Sequence, residues 1–550
     1  MTREMKAFRW LLAGALAVQF LLQAWFAVSH SSAFDEPFFV SAGLTLCTTG
    51  RDAVLIDQPP LAKRIYGTMA LLAGARAEPK ARDYMGAWTL YQLNRDRAVR
   101  ILMYCRMAAI AFGLALTFAA AWWAFELAGP AAGALAAWFL ALEPNTLAHG
   151  SLATADVLLS LFLVLFARAL WRLLAGAGGR WAFVSVGLWA GLALSTKYSA
   201  VGYVPALALA CTAAALALPR KHRADPPPLQ AVVKTVVTAL AVIWAAFAVH
   251  FRFWDPGFGG AGPLSWLPLG LAGAPAGDFI AGISRVFSWV NVDNPVFFLG
   301  SLHGGRLPGY FPMAIALKAP LGLLAAAAVA LAFRFLGPRK AALAPALLPA
   351  LCLAFVLATA AMSRMHAGLR HVHIALPLLA VLAAGLAGKG LAWPKVRASL
   401  AGLALLWCAA GTARCAPHFL AHFNELAGGP GGGWRLLADS NLDWGQDLPA
   451  LAEWCRENGV KELPMEYFGN SDPAWWGVPA VPFRDPGSPG FRPAIVAVSV
   501  SAIDGTLSHD LSRFDWCRNM EPLARPGWSF HIYDLRINSL KGNDPLPPFK

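Results

Sequence analysis

The sequence predicts a polytopic α-helical membrane protein of about 11 transmembrane helices with a C-terminal soluble α/β domain, and three observations carry that prediction. First, 57% of the 550 residues are hydrophobic and only 14% are charged, against about 25% charged in an ordinary soluble domain. Second, apolar runs recur through the first three-quarters of the chain, many reaching the roughly 20 residues a helix needs to cross hydrocarbon. A bilayer offers the backbone no hydrogen-bond partners, so such runs are helical. Third, the charge is divided: residues 415–550 hold 11 Lys/Arg and 16 Asp/Glu, whereas the first 414 residues hold 34 and 15. A basic membrane body (1–414) followed by a mildly acidic tail (415–550) accounts for this split. The basic residues sit in short clusters between apolar runs, which excludes a nucleic-acid-binding surface.

Taken in order, the spans fall near 8–29, 101–125, 131–147, 156–174, 181–196, 199–218, 232–252, 311–335, 342–362, 372–388 and 398–414. Arg3, Lys6 and Arg9 precede the first run, so the positive-inside bias starts the chain in the cytoplasm. Alternation then puts Arg168/Arg172/Arg180, Arg220/Lys221/Arg223, Arg334/Arg339/Lys340 and Lys389/Lys395/Arg397 on the same side. An odd number of spans sends the tail outside, to the periplasmic or extracellular face of an inner (plasma) membrane. Residues 1–33 also resemble a signal peptide. Their apolar stretch is long for one, and a polar motif follows at once, which favours a retained first span.

Two external loops are long, about 30–100 and 253–310. The first carries Arg51, Lys63, Arg64, Arg76, Lys80, Arg82, Arg95, Arg97 and Arg100 on the side where basic residues are not expected, and an anionic ligand is one explanation. Its semi-apolar stretch Leu61–Ala75 suits an interfacial helix. The second loop is rich in Gly and Pro, as a covering loop would be. The tail follows Gly428–Gly433 with a helical stretch near Asp447–Asn458 and strand-like runs at Leu463–Phe468, Ala494–Val500 and Phe530–Leu535, which read as a small α/β unit. Among eight cysteines, Cys455 and Cys517 are both in the tail and would form a disulfide only if they meet in an oxidising compartment.

Four polar constellations stand out on the external side: Asp35-Glu36; Asp57-Gln58-Pro59-Pro60-Leu61-Ala62-Lys63; Glu143-Pro144-Asn145 with His149-Gly150 and Thr154-Ala155-Asp156; and Gly368-Leu369-Arg370-His371. Charges near a bilayer are costly, so their placement is informative. In this order they resemble glycosyltransferase family 39, the GT-C group that includes the protein O-mannosyltransferases. Phe298-Leu299-Gly300-Ser301, Gly309-Tyr310-Phe311-Pro312, Lys318-Ala319-Pro320, Phe423–Pro430 and Asp439–Asp447 look like a bacterial branch of it. The resemblance spans nearly the whole chain. It implies a polyprenyl-phosphate sugar donor, an acceptor hydroxyl outside the cytoplasm and a lipid bilayer around the enzyme. It leaves open whether the acceptor is a glycolipid, a protein or a glycan. Many relatives carry His where this chain has Gln58, so that position is given no proton-transfer role.

The chemistry sets its own requirements. Displacing a phosphate from a sugar carbon needs cations at the leaving group and a base at the attacking hydroxyl. Asp35 is the candidate base, with Glu36 orienting the acceptor or a neighbouring cation, although adjacent acids also suit a helix N-terminus. Asp156 is a candidate supporting or sugar-binding acid, with the same capping alternative. For the donor phosphate the candidates are Arg106, Lys63 and Arg370, then Lys197 and Lys318; snorkelling to headgroups is the competing explanation. Asn145, His149 and His371 are candidates for sugar hydroxyls, Tyr310 for closure over the donor, and Trp475-Trp476 for sugar stacking. His366, His371 and His373 show metal-like spacing but have no acidic or Cys partner nearby, so no metal site is assigned. No cofactor is expected, and a divalent metal stays open. A lipid-linked-sugar transporter would also need many spans and cations. It would commonly show internal repeats, and none is visible here.

Overall fold

The structure is a computed structural model and describes residues 2–50, 52, 54–82, 85–218, 229–248, 275–290, 295–336, 343–388, 393–485 and 494–536. Helix α1 (Arg3–Ser29) starts where the Thr2 hydroxyl accepts from the Met5 N–H. After a turn at 30–35 come α2 (Glu36–Thr49) and α3 (Pro60–Leu72), the latter formed by the stretch expected to be helical at 61–75. A single turn, α4 (Gly86–Trp88), leads to the long α5 (Ala98–Ala128). Then follow α6 (Pro130–Ala141), α7 (Pro144–His149), α8 (Asp156–Leu174), α9 (Ala182–Leu194), α10 (Ala200–Leu216) and α11 (Leu229–Ala248). Residues 253–274 and 291–294 of the expected 253–310 loop lie outside the described residues. Its described parts include α12 (Pro275–Val290) and a short antiparallel ribbon, β1 (Val296–Phe298) with β2 (Ser301–His303). The body continues through α13 (Tyr310–Lys318), α14 (Leu321–Leu336), α15 (Leu343–Ala361), α16 (Ala375–Ala383) and α17 (Pro394–Cys415).

Five of these helices are long and apolar enough to cross a membrane: α1, α5, α8, α11 and α17. They make the chain a polytopic membrane protein. Shorter apolar helices stand where spans were expected at 131–147, 181–196, 199–218, 342–362 and 372–388. The expected span 311–335 is not one continuous helix, because α13 and α14 meet at a bend of 109°. The cause is local: Pro320 disfavours the helical region for the residue before it, and Ala319 is extended at φ −73°, ψ 141°.

Helices α2 and α3 cross with their backbones in contact. A Cβ on Gly43 would lie 2.2 Å from the Lys63 carbonyl oxygen, and one on Gly67 would lie 2.2 Å from that of Gly43. No side chain fits there without separating the helices, so Gly67→Leu is expected to cost about 1–3 kcal/mol or more. A thermal melt in detergent within error of the wild type would refute this.

The tail starts with short 3₁₀ turns and then forms α18 (Leu448–Glu457), close to the helical stretch expected there. Strands β3 (Leu463–Glu466), β4 (Ala480–Pro482), β5 (Ile495–Ser499) and β6 (Phe530–Asp534) make one sheet in the order β4-β3-β5-β6. β3 runs parallel to both of its neighbours, and β6 is antiparallel to β5. β3, β5 and β6 coincide with the three strand-like runs; β4 was not anticipated. Short helices α19 (Val500–Ile503) and α20 (Asp515–Asn519) join β5 to β6. Cys455 and Cys517 are both buried and free: Cys455 packs under α18 with Leu448 and Leu463, whereas Cys517 belongs to the cluster around Tyr533. Two backbone hydrogen bonds stitch the tail to the turn after α1, Ser31 N–H to Gln446 O at 2.9 Å and Phe34 N–H to Trp444 O at 2.8 Å.

Candidate active site at the end of the first helix

The neighbouring acids Asp35 and Glu36 face opposite ways, and the rest of the site follows from that division. Glu36 is fully buried. Its Oε1 accepts from Arg106 Nε and Ala153 N, both at 3.0 Å, and its Oε2 accepts from Arg106 Nη2 at 2.7 Å and Ala33 N at 2.8 Å. A guanidinium has five N–H donors. The other three of Arg106 go to the carbonyls of Ala27 (2.6 Å), His30 (2.9 Å) and Ser31 (2.7 Å). These carbonyls lie at the C-terminal end of α1, where a helix leaves acceptors without intrahelical partners. Arg106, expected at the donor phosphate, therefore has no donor left for one.

Asp35 points the other way and keeps 27% of its side chain exposed, with Oδ2 accepting from Arg370 Nη1 at 2.7 Å. Arg370 stands on the 3₁₀ turn Leu369–Val372. That turn begins at Gly368, whose φ of +91° suits glycine and where a Cβ would come within 2.3 Å of Ser440 Oγ. Tyr310 and Asn441 fix the turn. The Tyr310 hydroxyl accepts from Gly368 N (3.2 Å) and Asn441 Nδ2 (3.0 Å), and Asn441 Oδ1 accepts from Leu369 N (3.0 Å). The guanidinium lies over the Trp444 ring at 4.2 Å, and Nε donates to Ser440 Oγ and the Ala367 carbonyl. Nη2 makes no hydrogen bond among the described residues, so a cation held in place keeps a free donor beside Asp35.

Near the same nitrogen of Arg370, Asp156 opens α8 with Oδ2 at 3.7 Å from Arg370 Nη1 and Oδ1 at 2.5 Å from Lys197 Nζ. Charges thus alternate along Asp35, Arg370, Asp156 and Lys197. Two further carboxylates sense this cluster. Burial raises the Asp57 carboxyl above its ordinary range, Lys63 opposes the shift and Asp35 adds to it. Burial likewise raises Asp439, Arg370 opposes and Asp35 adds. Asp439 sits at φ +56°, a left-handed conformation that costs energy for any residue but glycine. His371 is half-buried, and burial together with the charges of Lys197 and Arg370 presses its imidazole well below the ordinary histidine value. It is therefore neutral, and its Nε2 has no hydrogen-bond partner.

Asp35, Asp156, Arg370, Lys197 and His371 converge, then, His149 lies against the Trp444 ring that supports Arg370, and the other expected residues stand apart. Lys63 Nζ is enclosed by the Asp52 carboxylate and the Leu55 carbonyl. Lys318 Nζ donates to the carbonyls of Leu420 and Asn441 and lies over the Phe423 ring. Asn145 Nδ2 is shared between Glu143 Oε1 and the Lys318 carbonyl. Tyr310 is fully buried under the Gly368 turn, so it supports Arg370 and does not close over a donor. His149 is wedged between the rings of Trp444 and His373. His366 faces Tyr310 and Phe311 while His373 bonds Ser160, so the three spaced histidines have different partners. Trp475 and Trp476 pack edge to face on each other, and Trp475 also packs on Tyr91 and bonds the Arg95 carbonyl. Sequence reasoning missed Asp439, Ser440 and Trp444 as site residues. The signal was the dense polar run Asp439–Asp447 at the start of the tail.

No family model matches the chain, and no curated protein matches it. Among solved structures it is similar to ArnT from Cupriavidus metallidurans bound to undecaprenyl phosphate, at 14% identity over 95% of this chain and 96% of that one, with a TM-score of 0.44. The same protein in the apo state gives 14% identity, 96% and 98% coverage and a TM-score of 0.43. The Archaeoglobus fulgidus oligosaccharyltransferase in the apo form gives 14%, 75% of this chain, 56% of that chain and 0.41. These superpositions are loose.

Proposed function

We propose that the protein is a membrane glycosyltransferase. It moves a sugar from a polyprenyl-phosphate carrier to an acceptor hydroxyl on a glycolipid, protein or glycan at the extracytoplasmic face. The observation that carries the reading is the Asp35–Arg370 pair: a part-exposed carboxylate held against a fixed guanidinium whose Nη2 makes no hydrogen bond among the described residues. In the transfer, Asp35 accepts the proton of the attacking hydroxyl, the hydroxyl oxygen bonds to the anomeric carbon, and the bond from that carbon to the phosphate oxygen breaks. Attack from the face opposite the phosphate inverts the anomeric centre. The carrier leaves as a phosphate monoester, whose added charge Arg370 stabilises. Lys197, neutralised in part by Asp156, keeps the neighbouring field positive, and neutral His371 offers a hydrogen bond to the sugar. On this reading residues 1–414 are the catalytic membrane body, with the N-terminus cytoplasmic. The external α/β domain of 415–550 lends Ser440 and Trp444 to hold Arg370.

The test uses the purified protein in lipid with radiolabelled polyprenyl-phosphate sugars and an envelope extract as acceptor. Release of carrier phosphate coupled to a labelled acceptor supports the proposal. Movement of intact labelled lipid between leaflets without cleavage would replace it with transport. Arg370→Lys is expected to lower turnover at least about tenfold, because an ammonium cannot contact Asp35 and a phosphate through the planar fork of a guanidinium. Unchanged kcat and KM in that variant would remove Arg370 from the leaving-group side.

A further inference from the structure

Behind the active-site turn, three donor atoms from three separate segments meet: His30 Nε2 at the end of α1, His418 Nδ1 just after α17, and Asp447 Oδ1 just before α18. The separations are 3.0 Å between His30 and His418, 3.0 Å between His418 and Asp447, and 3.3 Å between His30 and Asp447. Zinc bonds of about 2.0–2.2 Å in tetrahedral geometry place neighbouring ligand atoms roughly 3.3 Å apart, so this triangle has the size of one face of such a site.

With His30 neutral, the cluster has more contacts than protons to fill them. His30 Nδ1 is 2.8 Å from the Phe26 carbonyl and must carry a proton to bond it. A neutral His30 then turns the lone pair of Nε2 toward Asp447. One N–H on His418 Nδ1 can serve His30 or Asp447, but the contact between His30 and Asp447 has no hydrogen of its own. Two imidazole nitrogens and a carboxylate oxygen within 3.3 Å of one another are a ligand set that a divalent cation satisfies.

The surrounding groups match as well. A metal-bound histidine commonly donates its other N–H to a carbonyl, and a metal-bound carboxylate accepts a further hydrogen bond. Here Phe26 supplies the carbonyl, and Gln446 Nε2 donates to Asp447 Oδ2 at 2.6 Å. His30 and Asp447 are fully buried while His418 keeps 21% of its side chain exposed, which leaves an outer position for water.

We propose that His30, His418 and Asp447 bind a divalent transition metal of the zinc class. Bound there, the ion ties the end of α1, five residues before Asp35, to the first helix of the tail. It positions the catalytic turn and takes no part in the transfer, and its existence does not depend on the proposed reaction.

The experiment uses the full chain in lipid nanodiscs, stripped with chelator and then equilibrated with zinc or cobalt chloride. The expected result is about one tightly held metal per chain by elemental analysis, with the cobalt form showing the intense visible bands of tetrahedral N/O ligation. His418→Gln and Asp447→Asn retain hydrogen-bonding groups but lose the imidazole or the charge, and each should abolish the cobalt bands. If those variants misfold, the wild-type spectrum decides alone. A cobalt spectrum no different from the hexa-aqua ion, on wild-type chain that still melts cooperatively, overturns the proposal. So does zinc retention no higher than in a folded double variant.

Discussion

Asp35→Asn is expected to lower sugar transfer by about 10²–10⁴-fold, the range that general-base catalysis contributes, while leaving the protein folded. Asparagine has the size of aspartate, and its amide oxygen can still accept the hydrogen bond from Arg370 Nη1. What it cannot do is take the proton of the attacking hydroxyl. The carboxylate is 27% exposed, and its pair with Arg370 is one of several contacts that hold the guanidinium. Loss of an exposed or half-exposed pair costs about 1 kcal/mol or less, so the melting transition should stay close to that of the wild type. Donor affinity should hold or rise, because Arg370 no longer shares its charge with a neighbouring anion. The measurement is kcat and KM with a cognate donor–acceptor pair, beside a thermal melt. Near-normal turnover would move the base to another nearby carboxylate, such as Asp57 or Asp439, both of which feel the charge of Asp35.

The sequence made the helices legible because hydropathy and helix ends are local properties. The same holds for Asp35, Asp156 and Arg370, which stand at helix ends, Asp35 two residues before a proline and Arg370 two residues after a glycine. Partners across long separations were not legible. Arg106 and Glu36 lie 70 positions apart, and nothing in a linear pattern marks that one arginine has all its donors engaged while another keeps one free. The basic residues of the 30–100 loop read as candidates for an anion for the same reason: a count of charges omits carboxylates such as Asp52, which takes up Lys63. At Ala319–Pro320 the local signal for a break was present, but the apolar run on both sides outweighed it in a reading based on span length. Ser440 and Trp444 act through shape, as a hydroxyl and an aromatic face placed under Arg370, and only folding brings them there.

The second large effect concerns stability, one residue away. Glu36→Ala is expected to destabilise the protein by about 3–5 kcal/mol, the cost of leaving one member of a buried ion pair uncompensated. Arg106 would keep its charge in a fully buried site and lose two of its five hydrogen bonds, while the Ala33 and Ala153 N–H groups would lose their acceptors. In many proteins a buried pair can be exchanged for two apolar residues at little cost. That exchange should fail here. Arg106→Met with Glu36→Leu would abandon the carbonyls of Ala27, His30 and Ser31 together with those two N–H groups. Each buried unsatisfied group costs about 1–3 kcal/mol. The double variant should therefore melt no higher than Glu36→Ala, and recovery toward the wild type would show that backbone capping contributes little. Set beside Asp35→Asn, the comparison separates two adjacent acids by readout: one substitution removes turnover and spares the melt, and the other lowers the melt because it opens the turn that carries the first.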